Sequence, residues 1–391
     1  MRILVDYRPA LRQRTGVGEY IRQLIRAYTS VNTDDVIAFT SSWKDRPAAG
    51  LGSELGARVI DRRIPVRVLN YLWHRREWPP VEMLAWTKAP IDVAHSPHPL
   101  LMPARRAAQV VTIHDLYFLS SAQQTGAEVR RDYPQLVTSH ARRADAVITS
   151  TEYGKGQIAD RLGIADDRIY VCPPGAPSWK TLGRGPNVPA DGCVLFVGTL
   201  EPRKNIGKLL DAYTRVLNSG VPVPPLVLAG RATPAAAEWL TRITLTPLAG
   251  HVTHLGYVQH EEREALYKSA RLLVMPSLDE GFGLPALEAM SAGIPVIVSS
   301  RGSLPEVVGG AGALIDPGDA DALAQAIELA IRDDAWSLQA ARAGLERAHR
   351  FTWADSAVTL RRAYVDAVER RRARRDSPKQ VGRAFTDRQA G

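Results

Sequence analysis

The chain has 391 residues, 45% of them hydrophobic and 23% charged, with only two cysteines. At ~150 residues per domain this makes two or three domains with apolar cores of their own, and it excludes wholesale disorder, a disulfide scaffold and any multi-cysteine zinc or iron–sulfur centre. Net charge is +9, yet residues 361–391 alone hold nine Arg and one Lys against four acids, leaving +3 for the remainder; a nucleic-acid binder spreads basic residues over a folded face, so no nucleic-acid partner is expected.

The N-terminus, MRILVD, carries one basic residue and a short apolar run ending at Asp6. That run is too short for a signal-peptide core and predicts a first strand. No stretch of ~18 apolar residues occurs, so no spanning helix is expected, and the expected location is the cytoplasm, with an inner-membrane surface as a peripheral partner. After the strand at Ile3–Asp6, Gly16-Val-Gly18 opens a helical pattern over Glu19–Tyr28. The third glycine of G-x-G-x-x-G is missing and the preceding loop is long, which disfavours NAD; neither a Walker-type phosphate loop nor a G-x-S-x-G elbow occurs. A strand at Val36–Thr40 leads to the segment Arg62–Trp86, where Arg62, Arg63, Arg67, Arg75 and Arg76 alternate with Tyr71, Trp73, Trp78 and Trp86. It reads either as a helix with inward tryptophans and solvated arginines, the favoured reading, or as a belt at lipid headgroups.

Apolar runs at Ile91–His95, Val110–His114, Ala146–Thr149 and Ile169–Cys172 continue the strand series. His114-Asp115 ends one of them; the histidine either faces a cleft, oriented by Asp115, or is structural. His95, His98 and His140 have no metal-ligand spacing. Residues 173–192 are dense in Pro and Gly and predict a linker. Strands resume at Cys193–Gly198, Leu226–Gly230, Val252–Gly256, Leu272–Pro276 and Pro295–Ser299, with helices at Ile206–Leu217, Glu261–Ser269 and Ala286–Ala292. Uninterrupted apolar strands alternating with helices mark parallel sheets buried on both faces. The predicted fold is therefore α/β, with two Rossmann-like doubly wound domains facing a central cleft: 1–172, then 193–350, a C-terminal helix over 351–372, and a basic, disordered tail over 373–391.

Two strand-end motifs carry chemistry. In Val197-Gly-Thr-Leu-Glu-Pro-Arg203-Lys204-Asn205, a guanidinium fork and an ammonium stand together before a helix. The dipole there disfavours cations unless an anion is to be held, and a diphosphate suits both. In Glu280-Gly-Phe-Gly-Leu-Pro-Ala-Leu-Glu288, Gly281 and Gly283 bare the backbone before a helix opening at Leu284 or Pro285. Its free N–H groups form an anion site. Carboxylates repel phosphate, so Glu280 and Glu288 suit sugar hydroxyls on the same ligand; an ordinary strand–turn–helix joint is the competing reading. Asp316, Asp319 and Asp321 suit capping of a helix near Ala320. The C-terminal arginines, Arg370, Arg371, Arg372, Arg374 and Arg375, suit either a solvated helix end or attraction to anionic lipid.

Together, Gly16–Gly18, the His114 strand end, VGTLEPRKN, His254-Leu-Gly-Tyr-Val258 and the E-x7-E motif resemble the retaining nucleotide-sugar glycosyltransferases of glycosyltransferase family four, of GT-B fold, over roughly residues 1–365. VGTLEPRKN is similar to the branch containing O-antigen mannosyltransferases. The resemblance implies transfer, with retention and without a metal or cofactor, of mannose or a related sugar from a GDP- or UDP-linked donor to a glycan or lipid-linked acceptor during surface polysaccharide synthesis. It implies that Glu280 and His114 face the reacting sugar, with the Phe282, Gly283 and Leu284 backbone beside it. Glu288 would bind ribose, Arg203 and Lys204 the diphosphate, and Val258 the nucleobase through its backbone. Gly16 and Gly18 would let the first domain approach donor and acceptor. Many members carry Arg where Thr199 stands, and Arg203 is expected to supply that charge. The rivals are a phosphorylase or epimerase on the same fold and a non-catalytic nucleotide-sugar-binding protein.

Overall fold

The computed structural model describes residues 1–11, 16–87, 89–120, 133–179 and 185–376. Strands β1 (Arg2–Asp6), β2 (Asp35–Thr40), β3 (Arg58–Asp61), β4 (Val93–Ser96), β5 (Ala108–Thr112), β6 (Ala146–Thr149) and β7 (Ile169–Val171) form one sheet in the order β3-β2-β1-β4-β5-β6-β7. Strands β8 (Cys193–Val197), β9 (Leu226–Ala229), β10 (Val252–Gly256), β11 (Ala270–Met275), β12 (Val296–Ser299) and β13 (Ala313–Ile315) form a second, ordered β10-β9-β8-β11-β12-β13. Every pairing in both sheets is parallel. Such sheets need cover on both faces, and the central strands answer with unbroken apolar runs: every residue of β5 and of β11 is buried. Two edge strands, β3 and β13, are absent from the sequence expectation. RVID and ALI are short and half-exposed, so neither gives the continuous apolar signature.

Strand order reverses between β1 and β4 in the first sheet and between β8 and β11 in the second. Loops on either side of such a reversal splay apart and leave a crevice at the carboxyl ends of the strands. The motifs after β1, β8 and β11 therefore lie where the topology opens a site.

The helix Gly16–Val31 buries Tyr20, Ile21, Leu24, Ile25 and Tyr28, a stripe at helical spacing. Its partner comes from the far end of the chain. The final helix, Trp353–Asp376, returns to the first sheet, and Ala357, Leu360, Ala363, Tyr364 and Ala367 complete that sheet's core. Tyr364 Oη meets His95 Nδ1 at 2.7 Å, and His95 Nε2 meets Thr112 Oγ1 at 2.9 Å, so this histidine is a hydrogen-bonded core residue. The helix runs four residues beyond the expected end at 372, and positions 377–391 of the expected tail lie outside the described residues. Its arginines are largely engaged. Arg370 hydrogen-bonds Tyr170 Oη at 3.1 Å, Arg371 reaches the Arg105 carbonyl at 3.2 Å, and Arg374 pairs with buried Asp145 at 2.9 Å. A cluster expected to be wholly solvated or lipid-facing thus clamps the helix to the first sheet through three of its members. Asp319 caps the Ala320–Arg332 helix, accepting the N–H groups of Asp321 and Ala322 at 2.9 Å each.

Candidate active site

Residues leaving β8 and β11 are stitched together by hydrogen bonds of their own. Asn205, in the left-handed region at φ +58°, begins the Ile206–Asn218 helix and donates from Nδ2 to the carbonyls of Pro276, at 3.1 Å, and Pro317, at 2.7 Å. Leu278 N donates to the Arg203 carbonyl at 2.8 Å. This holds the one-turn helix Pro202–Lys204 beside the Ser277–Glu280 loop.

The Glu280 carboxylate is the centre of the arrangement. Oε1 accepts from Lys204 Nζ at 2.5 Å and from Ser277 Oγ at 2.7 Å, and Oε2 accepts from Arg203 Nη1 at 2.8 Å. Arg203 also donates to the Asp279 carbonyl at 2.9 Å and to Glu201 at 3.0 Å. Burial alone would raise the Glu280 carboxyl; Lys204 and Arg203 outweigh it and bring it down to about 2. Lys204 is itself buried, at 8% exposure. The Arg–Lys couple is therefore not a surface pair.

Gly283 ends the turn at φ +95° and begins the Leu284–Ser291 helix without a side-chain cap, leaving the backbone of Gly283 and Leu284 open to the cleft. Gly281 explains how the two halves meet. A Cβ there would stand 1.8 Å from the His114 carbonyl oxygen. Its own carbonyl accepts from Ser150 Oγ at 3.0 Å and Thr151 Oγ1 at 3.1 Å. Alongside, the Glu306 carboxylate accepts the first N–H groups of the Glu152–Leu162 helix, from Glu152 at 2.9 Å and Tyr153 at 3.0 Å, a carboxylate of one lobe at a helix N-terminus of the other. Gly16 lies against Leu284, whose Cδ1 would be 3.4 Å from an added Cβ.

Between these contacts lies a cleft of about 430 Å³, within the usual range for small-ligand sites. Its walls include Gly16, His114, Arg203, Lys204, Val258, Glu280, Phe282, Gly283 and Leu284, nine of the eleven site residues expected from sequence. Gly18 and Glu288 are not among the lining residues. Gly18 is buried within its helix. Glu288 lies behind Arg263, which takes its Oε1 at 2.6 Å, and Tyr267, whose hydroxyl donates to Oε2 at 2.7 Å. Arg263 lines the cleft where the sequence led us to expect the carboxylate. Nothing in His260-Glu-Glu-Arg-Glu-Ala-Leu-Tyr267 distinguishes it from a solvated helix arginine. Asp115 also departs from expectation. Its carboxylate accepts the Tyr117 N–H at 3.2 Å, while His114 Nε2 faces the Pro97 carbonyl at 3.3 Å and its ring stands edge-on to Tyr20, centroids 5.1 Å apart. Burial lowers the His114 pKa, leaving a neutral imidazole at pH 7.

Comparison with known proteins fits this geometry. Residues 14–178 match the description Glycosyltransferase Family 4, and residues 185–352 match Glycosyl transferases group 1. The O-antigen chain mannosyltransferase B of Escherichia coli is 30% identical over 390 residues, covering 93% of this chain and 99% of that protein. The chain belongs to glycosyltransferase family four. Sucrose-phosphate synthase from Thermosynechococcus elongatus superposes with a TM-score of 0.73 at 24% identity, covering 93% of this chain and 98% of the other. Anabaena Alr3699/HepE, solved in complex with UDP and glucose, gives 0.68 at 18% identity, covering 93% and 99%. Both likenesses concern the GT-B fold. Within family four the chain falls in the branch similar to O-antigen mannosyltransferases.

Proposed function

We propose that this glycosyltransferase moves mannose or a related sugar, with retention of anomeric configuration, from a GDP- or UDP-linked donor to a glycan or lipid-linked oligosaccharide during surface polysaccharide synthesis at the cytoplasmic membrane face. The observation that carries this reading is the convergence of Arg203, Lys204 and an uncapped helix start on one wall of the cleft. Two fixed cations and oriented N–H groups suit a diphosphate that gains charge as it leaves. They supply the positive charge that a bound metal supplies elsewhere, so transfer is proposed to proceed without one. The E. coli relative named an O-antigen chain mannosyltransferase and the UDP and glucose of the HepE complex support the substrate class.

In the proposed reaction the bond from the sugar's anomeric carbon to the diphosphate oxygen breaks with its electron pair going to the diphosphate. The acceptor oxygen bonds to the same face of that carbon, and its proton passes to the departing diphosphate. Glu280 sits beside the transferred sugar, fixed as a carboxylate by Lys204 and Arg203. Neutral His114 faces the same sugar, and Val258 lies along the nucleobase. Glu288 reaches ribose only through, or after movement of, Arg263. The contact of His114 and Ser150 with Gly281 excludes water and limits hydrolysis.

Calorimetric titration with a panel of GDP- and UDP-sugars, followed by transfer assays on saccharide acceptors with and without EDTA, tests this. One sugar nucleotide should bind and yield an α- or β-linked product matching the donor's configuration, with EDTA having no effect. An inverted product, loss of turnover in EDTA, turnover supported by free phosphate alone, or binding without transfer would each refute the corresponding part.

A further inference from the structure

We infer that the helix Val66–Arg76 and the tryptophans that flank it form a face that docks on an anionic lipid surface. The inference rests on the proposed acceptor chemistry and names which surface of the protein meets the membrane. It replaces the arginine-rich C-terminal helix in that role.

The helix has two differently used sides. Leu69 and Trp73, one turn apart, are buried in the first sheet's core. Val68, Tyr71 and Arg75, at spacings of three and four, stand outward. Around them the exposed large apolar side chains are dense: Val66, Val68, Tyr71, Trp78 and Met83, with Trp86 exposed to 83% of its surface. Trp43, exposed to 73%, belongs to the neighbouring loop, which Ser41 ties to Ile64 through hydrogen bonds of 3.0 and 3.1 Å. Single exposed hydrophobics need no explanation, but a group of aromatics within one short segment marks a surface meant to be covered.

The accompanying charge says by what. Arg63, Arg67, Arg75 and Arg76 are exposed among these residues. The acids within the same stretch are already used: Asp61 pairs with Arg46, Glu77 with Arg143, and Glu82 accepts the N–H groups of Arg105, Arg106 and Ala107. Arg62 lies 4.7 Å from the Trp86 ring centroid and its Nε donates to the Leu84 carbonyl, which fixes Trp86 beside the helix's N-terminal end. Aromatics with amphipathic rings, interleaved with cations and short of uncommitted carboxylates, match the headgroup region of an anionic leaflet, where rings sit at the polar–apolar boundary and arginines meet phosphate. An acidic protein partner would complement the charge but would leave the tryptophans' affinity for that boundary unused.

Position agrees as well. Arg8, on the segment that leads from β1 toward Gly16 at the cleft, bonds Asn70 Oδ1 at 2.9 Å and lies 4.4 Å from the Trp73 ring centroid. The docking helix is thus one side chain removed from the chain segment entering the active site. The C-terminal helix offers less, because Arg370, Arg371 and Arg374 are held by Tyr170, the Arg105 carbonyl and Asp145.

The test is sedimentation of the full chain with phosphatidylcholine vesicles, with and without about 30 mol% phosphatidylglycerol. Four versions are compared: the intact protein, Tyr71→Ser/Trp78→Ser/Trp86→Ser, Arg67→Glu/Arg76→Glu, and Arg372→Glu/Arg375→Glu/Lys379→Glu/Arg383→Glu. Intact protein should sediment with the anionic vesicles and not with the neutral ones. The aromatic variant should lose about fivefold or more in vesicle affinity and the tail variant less than that. Arg67→Glu/Arg76→Glu should match the aromatic variant. Absence of vesicle binding by the intact chain, binding indifferent to phosphatidylglycerol, or a smaller loss in the aromatic variant than in the tail variant would overturn the assignment. Melting temperature and transfer to a short water-soluble acceptor are read in parallel. Both should stay unchanged in the aromatic variant, and absence of transfer in every version would count against the proposed reaction, whatever the vesicles show.

Discussion

The two halves of the cleft are built on different principles. On the second sheet's side the walls are charged, and the carboxylates already hold cations: Glu280 with Lys204 and Arg203, Glu288 with Arg263, while Arg231 lies 4.8 Å from the Tyr257 ring centroid. On the first sheet's side the contacts are a backbone carbonyl and hydroxyls: the His114 carbonyl against Gly281 of the second lobe, and Ser150 and Thr151 on the Gly281 oxygen. One side recognises by charge held ready, the other by closeness of approach. A substitution should therefore damage affinity and charge stabilisation on the first kind of wall, and geometry on the second.

The sharpest break is Lys204→Ala. It removes one cation from a buried carboxylate and, under the proposed reaction, one from the leaving group, and kcat/KM should fall about a thousandfold, or about 4 kcal/mol. Steady-state kinetics beside circular dichroism would check it, and an unchanged kcat/KM in a folded variant would remove Lys204 from the site. Next comes acid sensitivity. The Glu280 carboxyl is held at about 2 against an ordinary 4.5. Its contribution, about 3 kcal/mol, is fully present above pH 4.5 and is lost as the pH falls toward 2. Denaturant melts across that window should steepen for the native chain relative to Glu280→Gln, which keeps only the losses due to other carboxylates, such as buried Asp6 paired with Arg8.

Where the charged wall touches the opposite one, Gly281→Ala should force His114 and its strand end away, because the added methyl would stand 1.8 Å from a carbonyl oxygen. Misplacing the halves should lower kcat about a hundredfold while donor affinity changes little, since Arg203, Lys204 and Glu280 keep their side chains. Isothermal titration set against turnover separates the two. The smallest effect is expected between Arg263 and Glu288. A double-mutant cycle with Arg263→Met and Glu288→Gln should give a coupling of about 1–2 kcal/mol in donor affinity. Independent effects would mean that the guanidinium and the carboxylate act on the ligand separately.

The charged wall was far more legible in the sequence than the other. Arg203 with Lys204, and Glu280 with Gly281 and Gly283, are neighbours in the chain at strand ends, so local pattern alone placed them on loops facing a crevice. Their pairing across 76 positions was not legible, because nothing local tells whether a carboxylate faces a ligand or a cation of its own chain. The same limit concealed Arg263 in front of Glu288 and sent Asp115 to Tyr117 and not to His114. Continuous apolar strands announced both sheets, whereas β3 and β13, short and at the edges, lacked that signal. Three C-terminal arginines read as exposed because their partners, Tyr170, the Arg105 carbonyl and Asp145, lie some 200 or more residues upstream. The tryptophans of 73–86 divide: Trp73 is buried, in agreement with an inward-facing helix side, while Trp78 and Trp86 stand outside.

The return of the last helix to the first sheet sets an order of assembly. Leu360 and Tyr364 fill a core whose strands were synthesised about 190 to 360 residues earlier. On the ribosome the second sheet has all its strands by Ile315, whereas the first must wait, with a gap along Tyr28 and Ile25, until the Trp353–Asp376 helix emerges. The lobe made first is completed last, and a transcript truncated before residue 353 would yield a sound second lobe joined to a first one lacking its cover.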